Sequence, residues 1–144
     1  MTVRTITARE VARTCLCLHV QRASRMVGRR YDQAFRPLGL TNGQFSILMA
    51  LSRPQPTGMA EVAEILGMDR TTLTAALKPL ERRGLLQLGQ NAEDRRARQI
   101  TLTDAGRRLV SEAMPLWEQA QNELGELMPD ANLDRLRADL KTLT

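Results

Sequence analysis

From Asp69 to Arg83 the chain reads Asp-Arg-Thr-Thr-Leu-Thr-Ala-Ala-Leu-Lys-Pro-Leu-Glu-Arg-Arg, and its chemistry depends on which side chains a helix leaves outside. Leu73, Leu77 and Leu80 recur at spacings of four and three, so a helix turns all of them to one side. Arg70, Thr71, Thr72, Thr74, Ala75 and Lys78 are left on the other, largely without acidic neighbours. A threonine hydroxyl can hydrogen-bond a phosphate or a base edge and its methyl can pack on that of thymine, while arginine can take both acceptors of guanine. A merely solvated face accounts poorly for three threonines, which are weak helix formers at exposed positions.

A second cationic cluster follows. Arg95, Arg96 and Arg98 stand beside Glu93 and Asp94, between two short apolar-rich runs. A hairpin tip of this kind is a basic finger narrow enough for a minor groove, where the concentrated negative potential attracts arginine. Asp94 is expected to orient one of the guanidiniums through a bidentate pair. An ordinary charged turn is the plainer alternative for the loop taken alone. Other reactive groups are sparse: Cys15, Cys17 and a single histidine, His19, with no glycine-rich phosphate loop and no serine-centred elbow. That inventory argues against an enzyme, a metal centre and a disulfide framework.

The elements that must carry these groups can be read from periodicity. Leu16, Val20, Ala23, Val27, Tyr31 and Phe35 fall at helical spacing in a first helix from about Val11 to Phe35, which Pro37 and Gly39 stop. Thr41 to Gln44 spells a capping box, opening a second helix that buries Phe45, Leu48 and Met49. A third helix from about Met59 to Leu66 buries Val62, Ile65 and Leu66 and closes at Gly67; Asp69 caps the fourth, which ends at Gly84. Two helices joined by Gly67-Met68 have the form of a helix-turn-helix. Leu85 to Gln90 and Ala97 to Leu102 form a hairpin around the polar Asn91 to Arg96. Thr103 caps a long fifth helix with Ala105, Leu109, Ala113, Leu116, Ala120, Leu124 and Leu127 on one stripe, and Leu133, Leu136, Leu140 and Leu143 mark a sixth beyond Pro129. Pro79 and Pro115 lie inside helices and are expected to kink them.

The 144 residues suit one domain, with a net charge of +5 unevenly placed. Residues 1–36 carry eight basic and two acidic side chains and residues 69–108 nine and five, whereas residues 109–144 carry three and seven. Two basic regions and an acidic one fit a molecule with one face for a polyanion and another that avoids it. No leader and no apolar run long enough for a membrane span is visible, so a soluble, cytoplasmic protein is expected. The leucine-rich ends present more apolar surface than a small domain can cover, which points to a homodimer.

The fold expected is mainly α with a small β-hairpin wing, a winged helix-turn-helix over residues 41–103 flanked by dimerisation helices at 1–36 and 104–144. In detail the chain closely resembles the MarR family of bacterial regulators. The resemblance spans nearly its whole length: Arg36 to Thr41, Gln44-Phe45, Asp69 to Thr74, Leu80 to Leu85, and Asp94-Arg95-Arg96 followed by Leu102-Thr103 and Gly106. It implies a homodimer in which the first, fifth and sixth helices intertwine, with the wing arginine Arg96 entering the minor groove. It also implies a regulator, most often a repressor, released by a small aromatic or carboxylate effector from a cleft between the dimer helices and the reading lobe. Two-fold symmetry then asks for palindromic double-stranded DNA.

For that cleft the candidates are His19, Arg22, Arg25, Met26, Phe45 and Met49, each with an ordinary core or surface role as its alternative. Arg22, Arg25, Arg29 and Arg36 form a basic stripe suited to an anionic effector such as a carboxylate or its phosphate-bearing thioester; a solvated face and DNA-backbone contacts are the alternatives. The run Leu16-Cys17 through Ala23-Ser24-Arg25 resembles the hydroperoxide-sensing branch of the family, whose reactive cysteine lies at the position of Cys17. That branch activates its thiol with tyrosines, whereas the matching Asn42 and Phe45 offer no phenol. Cys15 is expected on the far side of a continuous helix, out of reach of Cys17. A sequence-blind architectural DNA binder, or a winged domain used only for protein contacts, completes the alternatives.

Overall fold

The computed structural model describes residues 5–144. Residues 1–4, the start of the segment assigned to dimerisation, lie outside the described residues. The elements run α1 (Ala8–Thr14), α2 (Leu16–Phe35), a 3-10 turn (Arg36–Leu38), α3 (Asn42–Ala50), β1 (Thr57–Gly58), α4 (Met59–Leu66), α5 (Arg70–Arg82), β2 (Leu86–Gln90), β3 (Arg98–Leu102), α6 (Asp104–Glu126) and α7 (Leu133–Lys141). This is the mainly helical winged fold the sequence predicts.

Side-chain caps set the helix starts. Thr41 accepts the Gln44 N–H while Gln44 Oε1 accepts that of Thr41, closing the predicted capping box. Thr103 Oγ1 accepts the Gly106 N–H at the start of α6, and Asp69 does the same for α5. Helices α4 and α5 each end in a left-handed glycine. Gly67 has φ 61°, with the Met68 N–H bonding Ala63 O and the Gly67 N–H bonding Glu64 O; Gly84 has φ 68° and repeats the pattern to Leu80 and Glu81. These paired bonds satisfy the last carbonyls and turn the chain sharply in a conformation that costs glycine no Cβ clash.

Four features depart from the sequence expectations. The first helix starts earlier, because Thr7 and Glu10 form a further capping box, and it breaks at Cys15, whose ψ of 108° is extended. Cys15 Sγ there accepts the Leu18 N–H at 3.5 Å and so starts α2 afresh. The hairpin is part of a three-stranded antiparallel sheet, ordered β1-β3-β2, with Thr57 opposite Ile100 and Leu86 opposite Leu102. Helices α5 and α6 run on through Pro79 and Pro115. Met49 and Ile65, expected in the core, are 37% and 45% exposed because they face the open cleft between α3, α4 and α6.

The core lies in the lobe formed by α3, α4, α5 and the sheet, with Phe35 of α2 reaching into it. Phe35, Leu48, Val62, Leu73, Leu77, Leu80, Leu86, Ile100 and Leu102 are all but inaccessible. Phe35, at the end of α2, stacks on Phe45 of α3 with ring centroids 4.4 Å apart. Tyr31 donates its hydroxyl proton to Gln121 Oε1 on α6, and burial of the ring raises the phenol's pKa. Helix α6 can start where it does because residue 106 is glycine: a Cβ there would sit 2.1 Å from Leu85 O and 2.8 Å from Leu102 Cδ1. The outer helices contrast with this lobe. Neither α1 nor α7 buries a residue fully, and Val11, Leu16, Leu127, Leu136 and Leu140 all remain exposed. No helix among the described residues is long and apolar enough to cross a membrane.

Candidate nucleic-acid interface

Helix α5 turns Leu73, Leu77 and Leu80 into the core and leaves Arg70, Thr71, Thr72, Thr74 and Lys78 exposed. Its N-terminus is fixed by Asp69, which accepts the Thr72 N–H at 2.8 Å with one carboxylate oxygen and the Thr72 hydroxyl at 2.7 Å with the other. Those two bonds stabilise the ionised form and hold the Asp69 carboxyl below its usual range. The Thr74 hydroxyl donates to Arg70 O at 2.7 Å.

The three threonines are therefore not equivalent. The protons of Thr72 and Thr74 are already committed, leaving their oxygens as acceptors, which suits an amino group on a base edge. Thr71 makes no side-chain hydrogen bond to any described residue and keeps both donor and acceptor for an incoming group. Arg70 and Lys78 have no acidic partner among the described residues.

The wing tip is folded by its own side chains. Asn91 Oδ1 accepts the Glu93 N–H at 2.8 Å and Asp94 Oδ1 the Arg96 N–H at 2.9 Å, while the Ala97 N–H bonds Asp94 O and the Asn91 N–H bonds Ala97 O. Asp94 thus holds backbone, where a guanidinium pair was expected; a short carboxylate beside its own turn reaches a neighbouring N–H more easily than an arginine head that is free to extend. The result leaves Arg95, Arg96 and Arg98 exposed and without ion pairs among the described residues. Basic side chains on one exposed helix and on the adjoining loop give two projecting cationic surfaces on a single rigid core.

The effector candidates divide into two groups. Phe45 and Met49 line a cleft of about 490 Å³ between α3, α4 and α6, with Ile65, Leu66, Met114 and Trp117 supplying apolar wall and Arg53 and Ser46 polar edge. Phe45 is buried and largely occupied with Phe35, so Met49 and Trp117 offer the more available surface. His19, Arg22, Arg25 and Met26 do not line this cleft; they lie exposed on α2, with His19 Nδ1 2.8 Å from Cys15 O. Sequence reading missed Arg53 and Trp117. The one tryptophan of the chain, on the stripe of the long helix, was the available signal. Arg53 forms an ion pair with Glu61 of α4, which no short-range pattern announces. Cys15 is half-buried and Cys17 exposed. The described residues hold no cluster of three or more potential metal ligands.

Comparison with known proteins places this geometry in a family. Residues 38–97 match the model of the MarR family. The chain is 30% identical over 101 residues to the organic hydroperoxide resistance transcriptional regulator of Bacillus subtilis, covering 70% of this chain and 69% of that protein. It is 32% identical over 91 residues to the regulator SarZ of Staphylococcus haemolyticus, where the match spans 63% of this chain and 62% of SarZ, less than two thirds of that protein's length. Among solved structures, the Mycobacterium tuberculosis transcriptional regulator MosR in complex with DNA superposes with a TM-score of 0.80 at 40% identity, covering 90% of this chain and 92% of that one. The transcriptional repressor CouR bound to a 23-mer DNA duplex gives 0.82 at 30% identity, covering 96% and 99%. CouR from Rhodococcus jostii bound to p-coumaroyl-CoA gives 0.78 at 26% identity, covering 91% and 92%. An exposed helix on a leucine core, a basic wing beside it and these likenesses converge: the chain belongs to the MarR family of DNA-binding, winged-helix transcriptional regulators and is not an enzyme.

Proposed function

We propose that this protein is a cytoplasmic repressor that binds a palindromic operator as a homodimer and leaves it when a small anionic or aromatic effector binds. The observation that carries this reading is the face of α5: Arg70, Thr71, Thr72, Thr74 and Lys78 are all exposed beside a wing whose Arg95, Arg96 and Arg98 have no acidic partner among the described residues. A helix with this face placed in a major groove reads bases, while the wing holds the adjacent backbone and minor groove. Residues 1–36 and 104–144 supply the dimer and residues 41–103 the reading lobe; the exposed Val11 of α1, Leu16 of α2 and Leu136 and Leu140 of α7 are the surface a second copy would cover. The cleft walled by Met49 and Trp117 suits a flat or aliphatic body, and Arg53 a carboxylate that displaces or shares with Glu61. An effector that also used His19, Arg22, Arg25 and Met26 would need the second chain to bring the two groups together. The binding of p-coumaroyl-CoA by a CouR of the same fold supports an acyl or aryl thioester as the first compound to try.

The test is competitive binding to the promoter region beside the protein's own gene. A specific regulator prefers it to bulk DNA by about 10³-fold or more. Equal binding to both would leave an architectural, sequence-blind binder. Titration with aromatic carboxylates and their CoA thioesters, on wild type and on Arg22→Ala with Arg25→Ala, then reads out the effector; unchanged affinity in the double variant removes the α2 stripe from the site.

A second reading is favoured by the break at Cys15. The objection that Cys15 and Cys17 point apart on a continuous helix does not hold, because Cys15 stands outside both helices and Cys17 is exposed in the first turn of α2. In this reading a hydroperoxide transfers oxygen to the Cys17 thiolate, releasing an alcohol and leaving a sulfenic acid; Cys15 then displaces water to close a disulfide. DNA binding abolished by cumene hydroperoxide in wild type but kept in Cys17→Ser supports it, and binding kept in both overturns it.

A further inference from the structure

Arg83 is the side chain whose position sets it apart from the other arginines around α5. It follows the last residue of the helix, and its guanidinium reaches across the fold to donate to Gly39 O at 2.8 Å and Leu38 O at 3.2 Å. Those carbonyls lie at the end of the 3-10 turn that terminates α2, more than forty residues earlier in the chain. Two adjacent carbonyls held by two nitrogens of one planar fork is a geometry that arginine supplies and lysine, a single flexible point, does not. The next residue is tied as well: Gly84 O accepts the Thr103 hydroxyl at 2.6 Å, and the Thr103 N–H bonds Leu85 O at 3.1 Å. The C-terminal end of α5 is thus fastened to the end of α2 by Arg83 and to the start of α6 by Thr103. At the other end of α5 the side-chain hydrogen bonds among the described residues are local, from the Asp69 cap and from Thr74 to Arg70 O.

We propose that Arg83 is a positioning residue for DNA recognition: by clamping α5 to the end of α2, it fixes the angle of the reading helix to the long helices and so the separation of the two reading helices in the dimer. This rests on the homodimer and palindrome proposed above. Arg83 differs in role from Arg70 or Arg96, because two of its guanidinium nitrogens already donate to carbonyls of the chain, whereas Arg70 and Arg96 make no side-chain hydrogen bond among the described residues.

The experiment uses the inverted repeat that the full-length wild-type protein selects from a random duplex pool, and the same duplex with one or two base pairs inserted at its centre. Wild type should prefer the original spacing strongly, since half-site separation follows from rigid dimer geometry. Arg83→Ala and Arg83→Lys should both lower that preference by about tenfold while single half-site affinity and the salt slope stay near wild type. A phosphate contact behaves oppositely: Arg83→Ala lowers affinity at every spacing and reduces the salt slope by about 1, and Arg83→Lys restores both. That result overturns the proposal. Should wild type show no spacing preference, the palindrome reading fails instead, and amide exchange in the free protein decides the clamp: faster exchange at Gly39 and Leu40 in both variants retains it, and unchanged exchange removes it. Arg83→Lys, a change at an exposed side chain, also guards against loss of the alanine variant to misfolding.

Discussion

Helix α5 and the wing present comparable positive charge on different foundations. The helix rests on three buried leucines, is capped by Asp69 at one end and clamped through Arg83 at the other, and has two of its three threonine hydroxyls already engaged in internal bonds. The wing is anchored where Ile100 and Leu102 enter the core, but its tip is kept in shape by the short side chains Asn91 and Asp94 bonding their own backbone. Ordered donors and acceptors on a rigid helix suit discrimination among bases, since a misplaced group cannot adjust to the wrong one. Long arginines on a compact tip suit attraction to phosphate and a narrow groove, where reach matters more than angle. Specificity and affinity should therefore respond to different substitutions.

The largest effect should come from the foundation of the helix. Leu77→Ala opens a cavity beneath α5 and is expected to cost about 2–5 kcal/mol of unfolding free energy, read from denaturant titration. An equally stable Leu77→Ala protein would mean that α5 is not held by its leucines. Next, Arg70→Ala should change the preferred base at one position of a selected sequence by about 1–3 kcal/mol. Thr71→Ala should act in the same sense, as the threonine with an uncommitted hydroxyl. Arg96→Ala should weaken binding to all duplexes alike and flatten the salt dependence by about one unit of slope; a shift in base preference at Arg96 would erase the contrast between the two surfaces.

Smaller effects test the caps. The folded-state pKa of Asp69 is depressed, so its contribution to stability is present above the usual carboxylate range and is lost as pH falls through the lowered value. Asp69→Asn can still accept the Thr72 N–H but does not titrate. Wild type should have the higher thermal midpoint near neutral pH, and the difference should vanish in strong acid. Smallest of all is Asp94→Asn, which keeps the oxygen that the Arg96 N–H needs; its DNA affinity should stay close to wild type, whereas a large loss would point to an ionic role for Asp94 that its hydrogen bonding does not suggest.

Much of this contrast was legible before any coordinates. Leucines at helical spacing located α5 and its exposed face, and Thr41, Asp69 and Thr103 marked helix starts because capping acts over three residues and leaves a local trace. What escaped depended on longer range or on unusual chemistry. No proline or glycine announces the break at Cys15, where a thiol serves as the cap. Strand β1 is two residues long, too short to alternate, and exists through its register with Ile100 and Gln99. The division of labour among the threonines follows from where each hydroxyl points, which composition does not encode. Trp117 meets α3 only through tertiary packing of α3 against α6, and Arg53 meets Glu61 only where the chain folds α4 back beside α3.

That short strand has a mechanical meaning. Thr57 and Gly58 pair with β3, the strand leading out of the wing tip, and Met59 begins α4 with no intervening residue. The base of the wing and the opening turn of α4 are consequently tied by strand pairing, and α4 joins α5 through the Gly67 turn, so only a short stretch of backbone separates the wing from either helix. A wing that met grooves of different width would thereby have a short mechanical route to the exposed face of α5.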